Sequence, residues 1–193
     1  MVEIQRGDAV EETVLIDLLQ RAQTTGDPSA FDGLYLLFAD RVYRYLLARI
    51  GDPEHAEEIT SQVFLRLIEK IDIYRIGPRD NVAIFSAWLY RLAHNKMVDV
   101  LRRIKRAQEA PLEQAAWVES PHRPLAEIEE RLDFEQILTS LHILNEQQRD
   151  VILLRFLEEM SIAETAQILQ KSEGAVKALQ HRALESLRRH LQA

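Results

Sequence analysis

The segment at residues 85–106, FSAWLYRLAHNKMVDVLRRIKR, constrains this chain more than any other stretch. Wound at about 3.6 residues per turn, it places apolar side chains on one broad arc and basic and amide side chains on the other. The apolar arc predicts a helix that packs on a core. The other arc borders an indole ring, and this combination suits backbone phosphates and unstacked bases. A solvated basic face on an ordinary core helix is the alternative interpretation.

Composition favours helices along the whole chain. The 193 residues include only six glycines and six prolines, and no stretch alternates as a strand would. The absence of cysteine excludes disulfides and thiolate zinc sites. No apolar run approaches the roughly 20 residues that span a bilayer, and the N-terminus has no secretory pattern. We expect an all-α, cytoplasmic protein with no membrane insertion, no metal and no cofactor.

The net charge of −7 is unevenly distributed. Residues 1–106 carry 15 basic and 16 acidic side chains, and residues 134–193 carry 7 and 8. Residues 107–133 carry 2 and 7, so most of the excess acid lies between two nearly neutral flanks. Basic residues still cluster locally on helices in those flanks. This pattern is typical of a protein that binds DNA better inside a larger assembly than alone.

Punctuation residues divide the chain into two helical domains. Asp27-Pro28 and Asp52-Pro53 each predict a helix cap followed by proline at the first helical position. Prolines and scattered acids at 107–124 predict a flexible acidic linker. Four helices are expected in the first domain, at about 9–24, 28–50, 54–73 and 85–106. Four more are expected after the linker, at about 125–144, 146–159, 161–170 and 173–191, the last three capped by Asn145, Ser161 and Ser172.

The last three helices predict a helix-turn-helix. A tight turn at 170–172 separates the final two, and Ala166 is small enough to let helices cross closely. Gly174 and Ala178 keep the N-terminal part of the final helix slim, which suits a major groove. A three-helix packing module with a solvated, arginine-rich tail is the alternative. The residues that we expect to face DNA are Ser172, Glu173, Gly174, Ala175, Lys177, Ala178, His181 and Arg182.

Taken in order and spacing, these segments resemble the extracytoplasmic-function sigma factors of RNA polymerase, the minimal two-domain kind. The resemblance covers about residues 18–189. It implies a four-helix sigma domain 2 at 9–106 and a helix-turn-helix sigma domain 4 at 125–193. Domain 2 would bind core polymerase and melt and read the minus-10 element, and domain 4 would read the minus-35 element. The implied partners are promoter DNA, the beta-prime clamp helices and beta flap of core RNA polymerase, and an anti-sigma factor.

The resemblance also assigns residues to each partner. A mixed acidic and apolar helix face would dock on the coiled coil of the polymerase. We expect it to include Glu54, Glu57, Glu58, Thr60, Ser61, Phe64 and Leu67, although Phe64 and Leu67 could instead be core. Asp99 could instead pair with Arg102 or Arg103. The residues expected at the minus-10 element are Arg75, Arg79, Asn81, Trp88, Arg91, His94, Asn95, Lys96, Asp99, Arg102 and Arg103.

This sequence departs from the family pattern in domain 4. The usual turn glycine is Gln170, and an apolar residue after it is Lys171. The usual GTVKSR reads GAVKAL at 174–179, which removes two hydroxyls and a guanidinium. We therefore expect domain 4 either to bind minus-35 DNA weakly or to read an unusual sequence. The acidic linker is expected to thread the polymerase cleft toward the RNA exit path, with its charge mimicking nucleic acid.

Three other functions compete with this one. An enzyme is disfavoured because the sequence contains no HExxH, P-loop, GxSxG or GxGxxG motif, and His181 and Glu185 have no further ligand nearby in sequence. A helix-turn-helix regulator would explain the C-terminal half but not the basic helix beside Trp88. A sigma-mimicking interaction module remains open because of the altered residues at 174–179.

Overall fold

The computed structural model describes residues 3–74, 82–109 and 141–191, with side chains described for 12–74, 82–106 and 141–190. In these ranges all regular structure is helical, as the all-α prediction required. The first half contains α1 (Glu3–Thr25), α2 (Pro28–Ile50), α3 (Pro53–Lys70), a 3-10 turn (Ile71–Ile73) and α4 (Val82–Glu109). The second contains α5 (Glu146–Ile152), which continues as a π-turn (Leu153–Leu157), then α6 (Ile162–Leu169) and α7 (Glu173–Leu191).

Some predicted features fall outside the described residues. They are the loop residues Arg75, Arg79 and Asn81, most of the linker, and residues 125–140 of the helix expected at 125–144. The domain boundaries at 106 and 125 therefore stay predictions.

Aspartate caps start α2 and α3, as predicted. Asp27 accepts a hydrogen bond from the Ser29 amide, and Asp52 accepts one of 2.8 Å from the His55 amide. Each aspartate precedes a proline at the first helical position, where no amide donor is lost. The hydrogen bond from the His55 amide lowers the pKa of Asp52, so this cap stays charged.

Capping boxes start α5 and α6, at the two residues predicted as caps, Asn145 and Ser161. The Asn145 side chain accepts from the Gln148 amide, while the Gln148 side chain accepts from the Asn145 amide. Ser161 and Glu164 make the same reciprocal pair. These contacts satisfy amides that the first helical turn leaves without intrahelical partners. They fix where α5 and α6 begin.

The first four helices enclose an aromatic and aliphatic core. Phe85 lies at its centre, with its ring centroid 5.2 Å from Phe38 and 5.5 Å from Tyr74. Full burial of each large side chain contributes about 1.5–3 kcal/mol. The largest fully buried members of this first-half core are Leu15, Leu19, Leu34, Tyr45, Leu46, Ile59, Leu67, Ile71, Phe85, Leu89, Tyr90 and Met97.

The two halves pack against each other through α4 and α6, with a smaller contact between α2 and the π-turn. Leu153, Leu154 and Ile168 of the second half belong to the same buried cluster as Phe85 and Met97 of the first. A smaller cluster around Val151, Ala166, Val176 and Leu179 holds the helix-turn-helix together. The described residues thus form one continuous body, a packing that the sequence analysis did not anticipate.

Gln170 ends α6 in the left-handed conformation, with φ 53° and ψ 44°. A side chain strains this backbone, whereas glycine adopts it readily. We expect Gln170→Gly to raise the free energy of unfolding by about 0.5–1 kcal/mol, as measured by chemical denaturation. Gln167→Gly, one turn earlier inside α6, should instead lower it by about 1 kcal/mol. A loss of stability in Gln170→Gly would contradict the prediction.

Candidate functional site

Helix α4 carries an exposed polar stripe. Arg91, Asn95, Asp99 and Arg102 follow one another at intervals of three or four residues, and all four are exposed. Lys96 beside them is half-buried. The Arg102 guanidinium lies 3.5 Å from the Asp99 carboxylate, so Asp99 has the structural partner that the sequence analysis left open. Beyond this pair, the stripe continues with the exposed side chains of Arg103, Lys105 and Arg106.

An aromatic cluster lies at the N-terminal end of this stripe. The half-buried ring of Trp88 packs with its centroid 4.9 Å from Tyr74 and 5.7 Å from Phe85. Exposed Ile73 and Ile84 flank the cluster. An indole anchored on one side and open on the other can stack with a base. Tyr74 directly precedes residues 75–81 in the sequence, which include the minus-10 candidates Arg75, Arg79 and Asn81.

His94 does not belong to the exposed stripe. Its ring is half-buried, and its Nδ1 lies 3.2 Å from the Tyr45 hydroxyl. Burial lowers the pKa of His94; the Asp150 charge partly opposes this, and the charges of Arg49 and Lys171 lower the pKa further. His94 is therefore less accessible than the exposed members of the stripe, and its contact with DNA stays a prediction. The sequence placed His94 on the correct helix. Which arc of α4 is covered depends on how α6 packs against that helix.

Helix α7 presents the second predicted DNA face. Seven of the eight expected residues are exposed, and Ala175 is half-buried. Ser172 caps the helix by accepting a 3.2 Å hydrogen bond from the Ala175 amide. A side chain at Gly174 would meet open space, which fits the slim N-terminal end that was predicted. The exposed members are Ser172, Glu173, Gly174, Lys177, Ala178, His181 and Arg182.

The outer face of α3 differs from the prediction in its apolar members. Glu54, Glu57, Glu58 and Ser61 are exposed as expected. Thr60, Phe64 and Leu67 are only 5%, 7% and 1% exposed, so a partner would not meet them directly in this arrangement, and the core alternative is confirmed for Phe64 and Leu67. Phe64 and Leu67 pack in the core, and the Thr60 hydroxyl donates to the Ala56 carbonyl.

Two other apolar residues of α3 take their place at the surface. Leu65 is 61% exposed and Ile68 is 47% exposed. Together with Glu54, Glu58 and Ser61 they form a stripe with successive spacings of four, three, four and three residues. We call these five residues the α3 stripe. This alternation of three and four residues can be read from the sequence. It is the spacing of the residues by which one helix packs along a coiled coil.

Beside the α3 stripe, α2 adds an exposed apolar flank. Leu36 is 82% exposed, and the half-exposed ring of Tyr35 packs edge-on against Phe64 at 4.8 Å. Buried Phe64 therefore supports a surface aromatic residue instead of contacting a partner itself. Exposed apolar side chains gathered on adjacent helices mark an interaction surface.

No metal or membrane site emerges from the described parts of the chain. There, no three His, Cys, Asp or Glu side chains gather closely enough to hold a metal ion. His181 and Glu185 lie 4.0 Å apart as an exposed pair along α7. None of the described helices has the length and apolarity needed to cross a membrane.

Comparison with known proteins identifies both halves. The family model for sigma-70 region 2 matches residues 34–107, and that for sigma-70 region 4 matches 140–189. The chain is 36% identical over 178 residues to the ECF RNA polymerase sigma factor BldN of Streptomyces coelicolor, covering 92% of this chain and 66% of BldN. It is 29% identical over 176 residues to ECF RNA polymerase sigma factor SigW of Bacillus subtilis, covering 86% and 91%.

Solved structures share the fold. The sigma factor RpoE, solved in complex with the anti-sigma factor NepR from Bartonella quintana, matches with a TM-score of 0.65 at 20% identity. That match covers 84% of this chain and 97% of RpoE. With both regions present in order, this chain belongs to the sigma-70 family of RNA polymerase sigma factors. Within that family it is a member of the extracytoplasmic-function class.

The lowered pKa of His94 predicts a pH dependence. The folded chain binds this proton less tightly than the unfolded chain, so the stability that His94 contributes is present above about pH 6.5 and is lost as the pH falls. When the pH is lowered from about 7.5 to 5.5, the melting temperature of the His94→Gln variant should fall less than that of the unmodified chain. Glu158 has a raised pKa, which changes stability with pH in the opposite direction. It is present in both the variant and the unmodified chain, so it does not affect their comparison.

Exposed His181→Gln is the matched control and should follow the unmodified chain across this pH range. Equal slopes for all three chains in thermal unfolding would show that His94 is not the group responsible.

Proposed function

We propose that this protein is an alternative sigma factor that binds core RNA polymerase and directs transcription from its own promoters. It would act in the cytoplasm and perform no catalysis itself. One observation carries the proposal: the α3 stripe and the exposed polar stripe of α4 lie on adjacent helices of the same chain. A helix-turn-helix regulator needs neither of these surfaces. The third surface, on α7, suits duplex DNA.

The α3 stripe supports docking on the clamp helices of the polymerase. Leu65 and Ile68 supply apolar contact at a heptad-like spacing, and Glu54 and Glu58 extend the stripe toward the N-terminus of the helix. A coiled coil receives such a seam between its own ridges, while the acids select a basic partner surface.

The stripe and aromatic cluster of α4 support binding to the opened minus-10 element. Arg91, Arg102 and Arg103 would contact phosphates, and Trp88 would stack with an unpaired base. Asn95 offers an amide that both donates and accepts, as base edges require. Extruding a base costs a few kcal/mol, which a preformed aromatic platform helps to offset. Arg75, Arg79 and Asn81 remain proposed members of this site.

The exposed face of α7 supports minus-35 recognition in the major groove. Lys177 and Arg182 would neutralise phosphates, while Gly174 and Ala178 allow close approach to the bases. Lys177 lies 3.9 Å from Glu173 in the same exposed face, so DNA must compete with that internal pair. This competition, together with the loss of two hydroxyls, supports weak minus-35 binding outside the polymerase complex.

An anti-sigma factor is a further proposed partner. RpoE, whose fold this chain shares, was solved with such a factor bound. The exposed apolar residues Leu36, Leu65 and Phe156 would suit a protein that covers the polymerase-binding surface.

Co-purification with bacterial core polymerase, followed by run-off transcription on a genomic library, tests the function. Stable binding with discrete start sites is the expected result. Binding to core polymerase without transcripts would favour a sigma-mimicking interaction module. DNA binding without polymerase binding would favour an ordinary regulator.

Substitution in the α3 stripe should separate docking from folding. We expect Leu65→Ser with Ile68→Ser to weaken core polymerase binding at least about tenfold, because exposed anchors leave the interface without affecting the core. Val14→Ser, at an exposed apolar position on α1, is the control and should bind normally. Unchanged affinity of the double variant, measured by fluorescence anisotropy, would remove the α3 stripe from the docking surface.

Phosphate contacts from α7 should be visible in the salt dependence of promoter binding. In the assembled holoenzyme, Lys177→Ala and Arg182→Ala should each reduce the slope of log affinity against log salt concentration by about 1. Arg66→Ala, at an exposed position on α3, should leave the slope unchanged. Slopes equal to that of the unmodified protein would place α7 away from the DNA backbone.

A further inference from the structure

One side chain of α1 ties that helix to the turn that follows α3. The half-buried Gln23 donates from its Nε2 to the Ile71 carbonyl over 2.7 Å and to the Tyr74 carbonyl over 2.5 Å. These acceptors lie 48 and 51 residues further along the chain, so the contact is tertiary. A glutamine amide nitrogen carries two N–H donors, which is what a bridge between two carbonyl oxygens requires.

The two carbonyls mark the start and the end of the 3-10 turn. The Tyr74 amide donates to the Ile71 carbonyl over 3.1 Å, and the backbone at Tyr74 then becomes extended, with φ −70° and ψ 116°. Hydrogen-bond geometry in a 3-10 turn is poorer than in an α-helix, so such a turn is more easily distorted. The Gln23 amide adds a second bridge across this turn. It therefore holds the direction in which the chain leaves at Tyr74.

The Tyr74 side chain in turn supports Trp88. Tyr74 is only 8% exposed, and the centroid of its ring lies 5.5 Å from Phe85 and 4.9 Å from Trp88. Trp88 is half-buried, and the covered part of its indole packs with these two rings. Because the Tyr74 ring is attached to the backbone that Gln23 holds, a shift of that backbone would change the packing of the indole.

Such support matters because a binding group is most effective when it is ordered before its ligand arrives. A mobile ring has to be ordered on binding, and the cost of ordering reduces the gain from stacking. Residues that hold a binding group in place are therefore part of its design, even when they do not touch the ligand. Gln23 lies on a different helix from the α4 stripe, and no charge or periodicity marks it as functional.

We propose that Gln23 is a positioning residue for promoter melting, which fixes the turn at Tyr74 and thereby holds the Trp88 ring in the orientation that stacks with an extruded base. This inference rests on the proposed sigma function. Gln23 itself would not touch DNA. Its effect would appear at the step in which the duplex opens, because stacking offsets the cost of base extrusion at that step.

The order of the Trp88 ring can be measured without DNA or polymerase. The chain contains two tryptophans, so Trp117→Phe leaves Trp88 as the single indole reporter. In that background, Gln23→Met removes both donors at nearly constant side-chain length and helix propensity. Acrylamide should then quench the Trp88 fluorescence with a constant about twofold larger, because the indole loses packing and becomes more mobile. Unchanged quenching in a chain with unchanged far-UV circular dichroism would overturn the proposal.

Three further variants keep this test specific. Gln20→Met makes the same change at an exposed position of the same helix and should leave the quenching unchanged. Gln23→Lys supplies N–H donors on a longer stem and should return the quenching toward its original value. Gln23→Glu keeps the side-chain shape but replaces both donors with acceptors, so it should behave as Gln23→Met does. It decides the question if Gln23→Met does not fold.

Promoter melting by the holoenzyme separates positioning from a general loss of stability. On a promoter found by run-off transcription, Gln23→Met should slow the formation of the open complex about tenfold, as followed by permanganate reactivity. On the same promoter mispaired across the minus-10 element, the bases are already unpaired, and the difference should shrink to less than about twofold. A purely structural role would slow both templates equally, and that result would overturn the proposal.

The two proposals fail separately. Affinity for core polymerase should be the same in Gln23→Met and the unmodified chain, because Gln23 lies outside the α3 stripe. If the unmodified chain does not bind core polymerase, the proposed function is wrong, whereas the fluorescence comparison still decides whether Gln23 positions Trp88. If the unmodified chain initiates transcription but Trp88 quenching is the same in all variants, only the positioning role is wrong.

Discussion

Helix α4 must satisfy three different surroundings at once, and the arrangement of the molecule follows from that requirement. One arc buries Phe85, Leu89 and Met97 in the first-half core. A second arc carries Tyr90, whose hydroxyl donates to Glu158 of the second half, and His94, which lies beside Tyr45. The third leaves Arg91, Asn95 and the later basic residues in solvent. A helix has room for three such arcs only if each is narrow. A shift of the element packed on one arc therefore also changes the contacts that the other two arcs can make.

Local rules predicted the elements well because their causes lie within a few residues. Asp27, Asp52, Asn145 and Ser161 each cap the helix that follows them. Apolar periodicity likewise placed four helices in the first half and a helix-turn-helix near the C-terminus. Gln170 shows the limit of such rules, since a non-glycine residue occupies the left-handed turn, where its own amide and that of Lys171 donate to carbonyls at the end of α6.

The candidate site was less predictable from the sequence, because the exposure of its residues depends on neighbours that are distant in sequence. The sequence left open whether Phe64 and Leu67 lie at the surface or in the core. Leu65 and Ile68 occupy the surface instead, and the positions of α2 and α4 fix that rotation of α3. His94 followed the basic periodicity of α4 but faces Tyr45. No local pattern reveals that the buried Arg49 of α2 will donate to Asp150 of α5, 101 residues away. Tertiary contacts therefore decide which residues of each helix face solvent, and sequence periodicity alone does not determine those contacts.

The separation between Arg49 and Asp150 also has a consequence for how this protein can change over generations. A substitution of either residue alone strands its partner's charge in the interior, whereas joint replacement by apolar residues avoids that cost. The two positions are therefore mutationally coupled although they belong to different halves of the chain. We expect inheritance to treat them as a unit, so that close descendants keep both charges or lose both together.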